Sequence, residues 1–397
     1  MSALDHEQVT GPVRPHDRFL VFGSPQIQDA EIEEVVASMR AAWLGTGPKV
    51  ARFESAFCSY VGGAHAVAVN SCTAALHLSL LSAGLGRGDE VITSALTFAA
   101  TVNAIIHTGA TPVLADVDPR TMNIDPDDVE RRITSATRAL LPVHFAGRPC
   151  DMDRLMDIAE RHGLAVIEDA AHAVETTYRG RHAGTFGDFG CFSFYATKNV
   201  TTGEGGMVIA RRAEDSARIK VLALHGLSAD AWKRFSDEGY RHYHVTEAGF
   251  KYNMMDLQAA IGLHQLERVE ANWLRRQAVW TKYQEHLAGS GLGLPAEPEP
   301  DTRHAYHLYT VRVDEDVVAI GRDAFIDAVT KQGIGVGVHY QSIPEHPYYR
   351  ERFGWRLEDV PYAAAIGRQT VSLPLSPKLT DEDASDVLEA VRRVLPA

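Results

Sequence analysis

One lysine, Lys198, stands in the loop FSFYATKNVTTGEGG (192–206), between an apolar, β-rich run (Gly190–Tyr195) and a second strand candidate, GGMVIA. An amine held on rigid flanks, out of water or beside other cations, loses its proton easily and suits Schiff-base chemistry. Ser193 adds a hydroxyl upstream, and the exit is rich in glycine. The plainer alternative is a solvated lysine in a Gly/Thr turn.

Four further features follow strand candidates. Ser71-Cys72-Thr73 opens a helix after AVAVN. Free backbone amides and the positive end of the helix dipole make such a turn a seat for phosphate; the alternative is an ordinary N-cap. Phe98, after EVITS, is an aromatic that either covers a flat ring or joins the core. Asp169 closes LAVIED, where burial of a carboxylate demands a cation or hydrogen-bond donors. A pyridinium nitrogen is one such partner, and a helix cap is the other reading. His172, soon after, either orients a ring oxygen or lies on the surface. Together they order a phosphate seat, a stacking ring, a carboxylate and a lysine along one chain, which is stronger than any member alone.

The elements that must position them alternate. AVAVN, EVITS, TPVLADV, RALLPV and LAVIEDA read as strands of four to seven residues. Between them SCTAALHLSLLSA, FAATVNAIIHTG, DPDDVERRI and MDRLMDIAERHG read as helices. This predicts an α/β fold with a mostly parallel sheet covered on both faces, with ligands at the carboxyl ends of the strands. Residues 1–18 are expected to be a flexible arm and 19–288 a large domain closed by one long amphipathic helix over 258–288. The Gly/Pro-rich stretch GSGLGLPAEPEPD (289–301) reads as the domain junction. Residues 289–397 then form a small α+β domain, with strands at AYHLYTVRV and GVGVHYQ and a last helix at DEDASDVLEAVRRVL.

Composition narrows the classes. A 397-residue chain that is 45% hydrophobic can bury a large core. A formal charge of −13 argues against nucleic acid or an anionic membrane as partner. Cys58, Cys72, Cys150 and Cys191 are scattered without zinc or redox spacing, so no metal site is expected. No run is long enough to span a membrane and the polar start is unlike a signal peptide; the expected location is the cytoplasm.

The chain resembles the fold-type I pyridoxal-phosphate (PLP) aminotransferases, and within them the DegT/StrS-type nucleotide-sugar aminotransferases. The motifs that carry this are W-x-x-T-G-P (43–48), N-S-x-T-A-A-L-H-L (70–78), G-D-E-V-I-T (88–93), G-A-T-P-V (109–113) and I-E-D-A-A-H-A (167–173). S-F-x-x-x-K-N (193–199), G-E-G-G (203–206), H-G-L (225–227) and K-Y-N-M-x-D (251–256) complete the set, and the likeness runs from about Phe22 to the last helix. It implies that Lys198 carries PLP as an imine and shuttles a proton, that Asp169 pairs with the pyridine nitrogen, and that His172 lies near the ring hydroxyl. It implies that Phe98 stacks on the ring and that Ser71, Cys72, Thr73 and Ser193 hold the phosphate. Asn253 would reach the phosphate from the second subunit of a homodimer. Cys72 departs from the glycine or alanine common in relatives.

Thr46, Lys251, His339 and Tyr340 are assigned by the resemblance to the substrate. The stretches HGLSADAW and GVGVHY look most like C4-specific enzymes forming 4-amino-4-deoxy-pentoses. The implied reaction moves an amino group from an amino acid, mostly L-glutamate in the family, to a nucleotide-linked keto sugar. Lys233, Arg234, Arg241, His242 and His244 are either contacts for a nucleotide diphosphate or a solvated charged loop. The alternatives are a C3-specific sugar aminotransferase, a non-catalytic PLP-binding regulator, or another fold-type I PLP enzyme.

Overall fold

A computed structural model of the protein describes residues 11–228 and 243–395. The alternating run folds as read. Strands β1 (His65–Val69), β2 (Glu90–Ser94), β3 (Thr111–Ala115), β4 (Thr137–Leu141) and β5 (Ala165–Asp169) precede a short hairpin, β6 (Thr177–Tyr178) and β7 (Arg181–His182). Then come β8 (Phe189–Ser193) and β9 (Gly206–Ala210). The seven-stranded sheet has the order β1-β9-β8-β5-β4-β2-β3. Only β9 runs against the rest, pairing antiparallel with both β1 and β8. Its first residue, Gly206, therefore lies at the same edge as the carboxyl ends of the other strands.

Helices cover both faces: α1 (Asp29–Arg40), α2 (Pro48–Val61), α3 (Cys72–Ser82), α4 (Ala99–Thr108), α5 (Pro126–Arg132), α6 (Met152–His162) and α7 (Ala213–Ala223). Their local causes are plain. In α6 the Asp151 side chain accepts from the Arg154 amide, Leu155, Ile158 and Ala159 face inward, and Gly163 ends the helix at φ 64°. In α3, by contrast, Ala74 to Leu80 are all buried, because it packs on the sheet beneath α4 and α7.

The expected single helix over 258–288 is two: α8 (Asp256–Glu267) and α9 (Val269–Leu287), meeting at Arg268, whose ψ of 1° leaves the helical range. Arg268 Nη2 is drawn onto Glu31 of α1, and a helix following the sheet must turn there to reach the C-terminal core. In that core Val279, Trp280, Tyr283 and Leu287 pack with Tyr309, Phe325, Val371 and Val387. A three-stranded sheet sets β10 (Thr302–Arg303) beside β6 and β7, and in a two-stranded one β11 (Tyr309–Arg312) pairs antiparallel with β12 (Thr370–Leu373).

The strand expected at GVGVHYQ does not form. The segment makes one isolated bridge, Gly337 to Ser372, and otherwise runs irregularly against Leu20 and Phe22. AYHLYTVRV is a strand only over its second half. Residues 11–18 are not loose. The Arg14 amide donates to the Gln332 carbonyl at 2.9 Å, and its guanidinium pairs with Asp383 and Asp386. A further cluster joins Ala95, Leu96 and Phe145, beyond the sheet's carboxyl edge, to Leu308, Ile343, Tyr349 and Val360, so the C-terminal part closes over that edge. Among the described residues no helix is long and apolar enough to cross a membrane.

Candidate active site

Asp169, the last residue of β5, is 5% exposed. Thr101, one turn into α4, donates to its Oδ2 at 2.8 Å, and the Ala171 amide donates to Oδ1 at 3.1 Å. Thr97 lies 2.8 Å from the Thr101 hydroxyl and, since Thr101 spends its proton on Asp169, Thr97 must be the donor. Burial raises the Asp169 carboxyl above its usual range, opposed by Thr101, the Ala171 amide and Lys198. The next residue back, Glu168, points to the opposite side and accepts from the Gly184, Phe186 and Gly187 amides at 2.7–2.8 Å. His144 Nε2 adds a fourth contact at 3.0 Å, while its Nδ1 accepts from the Cys150 amide. This strut fixes the end of β5, and with it Asp169.

Lys198 follows β8, its amide bonded back to the Tyr195 carbonyl at 2.9 Å. Burial pushes its ammonium down to about 8, against the opposing pull of Cys72 and Asp169. It thus shares one electrostatic neighbourhood with the carboxylate at the end of β5 and the first residue of α3.

At the start of α3 the Ser71 hydroxyl caps the helix, accepting from the Ala74 amide at 3.1 Å. Gly206 is paired with Ser193 across β8–β9, and a Cβ on it would stand 2.5 Å from the Ser71 carbonyl carbon and 2.7 Å from the Cys72 amide. Only glycine lets β9 approach this turn so closely. Ser71, Cys72 and Thr73 are half-buried and Ser193 is buried, so hydroxyls and amides converge there. The cap reading and the anion-seat reading are therefore compatible: Ser71 caps the Ala74 amide, and the Cys72 and Thr73 amides are left without an intrahelical acceptor.

Phe98 is not core. It is 59% exposed at the entry to α4, its ring 5.7 Å from that of Tyr340. His172 is buried, and the Ala146 amide donates to its Nδ1 at 3.2 Å. Burial, reinforced by Lys198, His307 and His339, drives its pKa well below the usual value, so the ring is neutral. A neutral ring with Nδ1 accepting carries its proton on Nε2, which donates to the Tyr340 hydroxyl at 3.1 Å. His339 stacks on Phe22 with centroids 5.4 Å apart and contacts the Ser372 hydroxyl at 2.9 Å.

Thr46, Lys251 and Asn253 form a separate group. Asn253 Nδ2 donates to Thr46 Oγ1 at 2.7 Å and its Oδ1 accepts from Lys251 at 2.6 Å; among the described residues these three bond to one another and not to the Lys198 group. The backbone bridge from Asn253 to Val69 sets this cluster at the end of β1, just before Ser71. Of the basic cluster, Lys233, Arg234, Arg241 and His242 lie outside the described residues.

Sequence reasoning missed Thr101 and His307. The His307 ring is 4.4 Å from that of His172, and its Nδ1 meets Asn199 Oδ1 at 2.9 Å. Asn199 spends its amide hydrogens on Glu175 (2.8 Å) and the Ala305 carbonyl (3.1 Å), so His307 is the donor. The adjacency of Asn199 to Lys198 was the available signal; His307 had none, being brought in from the C-terminal part.

A buried strand-end carboxylate, a depressed lysine, an uncovered aromatic and a glycine-cleared helix start fit PLP as a cofactor, with Phe98 available to cover its ring. Asp169 would hold the ring nitrogen, and the start of α3 with Ser193 the phosphate. Fold and site thus define a PLP-dependent aminotransferase. The sequence profile of the DegT/DnrJ/EryC1/StrS aminotransferase family matches residues 25–392, and the chain belongs to that family. It is 49% identical over 385 residues, 96% of this chain and 99% of the relative, to the spore coat polysaccharide biosynthesis protein SpsC of Bacillus subtilis. Spr1654 of Streptococcus pneumoniae, assigned as a sugar aminotransferase and solved in apo, PMP and PLP forms, superposes with a TM-score of 0.88. In the apo form it is 34% identical, with 94% of this chain and 97% of that one covered. DesI, solved in the presence of its TDP-sugar product, gives 0.85 at 32% identity, covering 96% and 94%. The protein is a PLP-dependent sugar aminotransferase.

Proposed function

We propose that the protein moves an amino group from L-glutamate to the C4 keto group of a nucleotide-linked sugar, as a homodimer whose two sites are shared. The observation that carries this is the common neighbourhood of Lys198, Asp169 and His172, with His339 and Tyr340 beside it on the C-terminal part. PLP, when bound, supplies the aldehyde carbon that takes up the amine and a ring that accepts the electron pair released at the reacting carbon. Lys198 is the proton carrier: with its pKa near 8, both the free amine and the ammonium are populated close to neutrality. Asp169 offers a cationic ring nitrogen a buried carboxylate already oriented by Thr101. His172 is held neutral and aimed at Tyr340, so the Tyr340 proton is free for an acceptor in the site. The likeness to DesI supports a nucleotide sugar, and GVGVHY supports C4. In this reading Thr46, Lys251 and Asn253 serve the partner's site, Asn253 at the phosphate.

A panel of UDP-4-keto-pentose, dTDP- and UDP-4-keto-6-deoxyhexoses and their 3-keto isomers, incubated with L-glutamate and read by mass spectrometry, tests this. A 4-amino sugar is expected. Turnover of ordinary keto acids with no keto sugar accepted would overturn it.

A further inference from the structure

At the other edge of the large sheet, where β1 and β8 begin and β9 ends, lies a cavity of about 410 Å³. Its walls are the end of α2, the β6–β7 turn with the loop that follows it, and the end of β9. A strand's length, about 15 Å, separates this edge from the one that carries Asp169 and Lys198. The space has a local cause. Gly62, at φ 64°, ends α2, and Gly180, at φ 78°, makes the hairpin turn, so both walls lack side chains where they meet.

Charge marks the cavity out. The chain carries 52 acidic residues against 39 lysines and arginines, yet none of the described residues lining this space is acidic. Arg181 and Arg211 both line it, and burial, reinforced by Arg303, holds His182 below its usual range and so neutral. Arg181 is fixed in advance: its guanidinium lies 4.7 Å over the Phe186 ring, and Nε and Nη2 donate to Thr185. Arg211 gives Nη2 to Asp188 at 2.8 Å. Among the described residues, Nη1 of Arg181 and both Nη1 and Nε of Arg211 make no hydrogen bond, so donors from two segments remain for an anion.

The end of α2 asks for the opposite. The Gly62 and Gly63 amides cap the Ser59 and Cys58 carbonyls, which leaves the Tyr60 and Val61 carbonyls without an amide among the described residues. Such carbonyls repel an anion and accept from hydroxyls. One occupant that meets both walls carries its charge at one end and hydroxyls at the other. Two guanidinium forks match the three oxygens of a phosphate better than the two of a carboxylate. The volume lies within the range of small-molecule sites. We propose that this cavity binds a monosaccharide phosphate, its phosphate on Arg181 and Arg211 and its hydroxyls at the end of α2. The site is separate from the catalytic one and does not rest on the reaction proposed above.

Calorimetry on the holoenzyme tests this with glucose 1-phosphate, inorganic phosphate, glucuronate and glucose. Glucose 1-phosphate should bind at least about tenfold more tightly than each of the others, because it alone brings both a phosphate and hydroxyls. Arg181→Gln combined with Arg211→Gln should weaken it about 10- to 100-fold, the worth of charge-assisted hydrogen bonds. Ser59→Trp, from an exposed position of α2 on the cavity wall, should weaken it as much by filling the space, and it decides the matter if the paired variant does not fold. In both variants the half-reaction with L-glutamate should stay within about threefold of wild type. No binding of glucose 1-phosphate, binding that survives these substitutions, or equal binding of any other probe overturns the proposal. A loss of the glutamate half-reaction in step with the loss of binding would put the ligand in the catalytic site and overturn it as well.

Discussion

In the proposed reaction the amine of Lys198 and the carboxylate of Asp169 set the chemistry, and each depends on a neighbour. With a pKa near 8, the fraction of free Lys198 amine rises about tenfold per pH unit below that point and levels off above it. Capture of PLP by the apo-protein, followed by stopped-flow absorbance, should follow this curve; a rate still climbing through pH 10 would mean an ordinary lysine. The sign for stability is the same. The unfolded lysine binds its proton up to its ordinary value, so Lys198 opposes folding fully below pH 8 and the penalty fades as pH rises to about 10.5. Thr101→Val removes one of the two donors to Asp169 and leaves the shape. We expect kcat/KM to drop about 10- to 100-fold and the carboxyl pKa to rise, with Thr101→Ser restoring most of the loss. A wild-type pH–rate profile in the valine variant would remove Thr101 from the machinery. The positions of Lys198 and Asp169 at the carboxyl edge of the sheet were legible because each ends or follows a strand in a fixed order. Thr101 was not, since a threonine on a helix next to an aromatic looks like any other until α4 is docked over β5.

At the scale of elements, the parallel strands were legible because short β-branched runs alternate with amphipathic helices, as α6 does. The GVGVHYQ segment imitated a strand by alternation alone. Gly335 and Gly337 are there because Leu20, Phe22 and His339 crowd them: a Cβ on Gly335 would lie 3.0 Å from the Leu20 carbonyl oxygen. The result is an irregular chain that carries His339 and Tyr340 to the site. The break at Arg268 was equally hidden, since both halves of the helix are amphipathic and only the position of the C-terminal core demands a turn. The contact most exposed to test is that of β9 with the start of α3. Gly206→Ala puts a methyl within 2.5 Å of Ser71 backbone, which must retreat. We expect about 1–3 kcal/mol of lost stability and weaker PLP binding. Gly86→Ala, whose nearest neighbour would be 3.8 Å away, should cost little by the same thermal melt and cofactor titration. Equal behaviour of the two would mean that the approach does not matter.

For the whole molecule, the question is what the exposed apolar side chains are for. Trp43, Leu44, Phe98, Tyr195 and Met255 are each between 43% and 59% exposed, and Trp43 donates to the Thr46 carbonyl at 3.2 Å, beside Asn253. Thr46, Lys251 and Asn253 beside Trp43 do not bond to their own Lys198, and the shared two-fold site proposed above would use them across the subunit boundary. A subunit-mixing experiment reads this directly. In the proposed homodimer, the Lys198→Ala and Asn253→Ala proteins should each be crippled, because every site carries one of the two defects. If sites are shared, a mixed dimer places both defects in one site and leaves the other intact. Random assortment makes half the dimers mixed, each with one working site of two, so activity should recover to about a quarter of wild type. If each site is built from one chain, every site in the mixed dimer keeps a single defect and mixing restores nothing. Activity that stays at the mean of the two parents would therefore return Asn253 to its own subunit and the apolar surface to some other role.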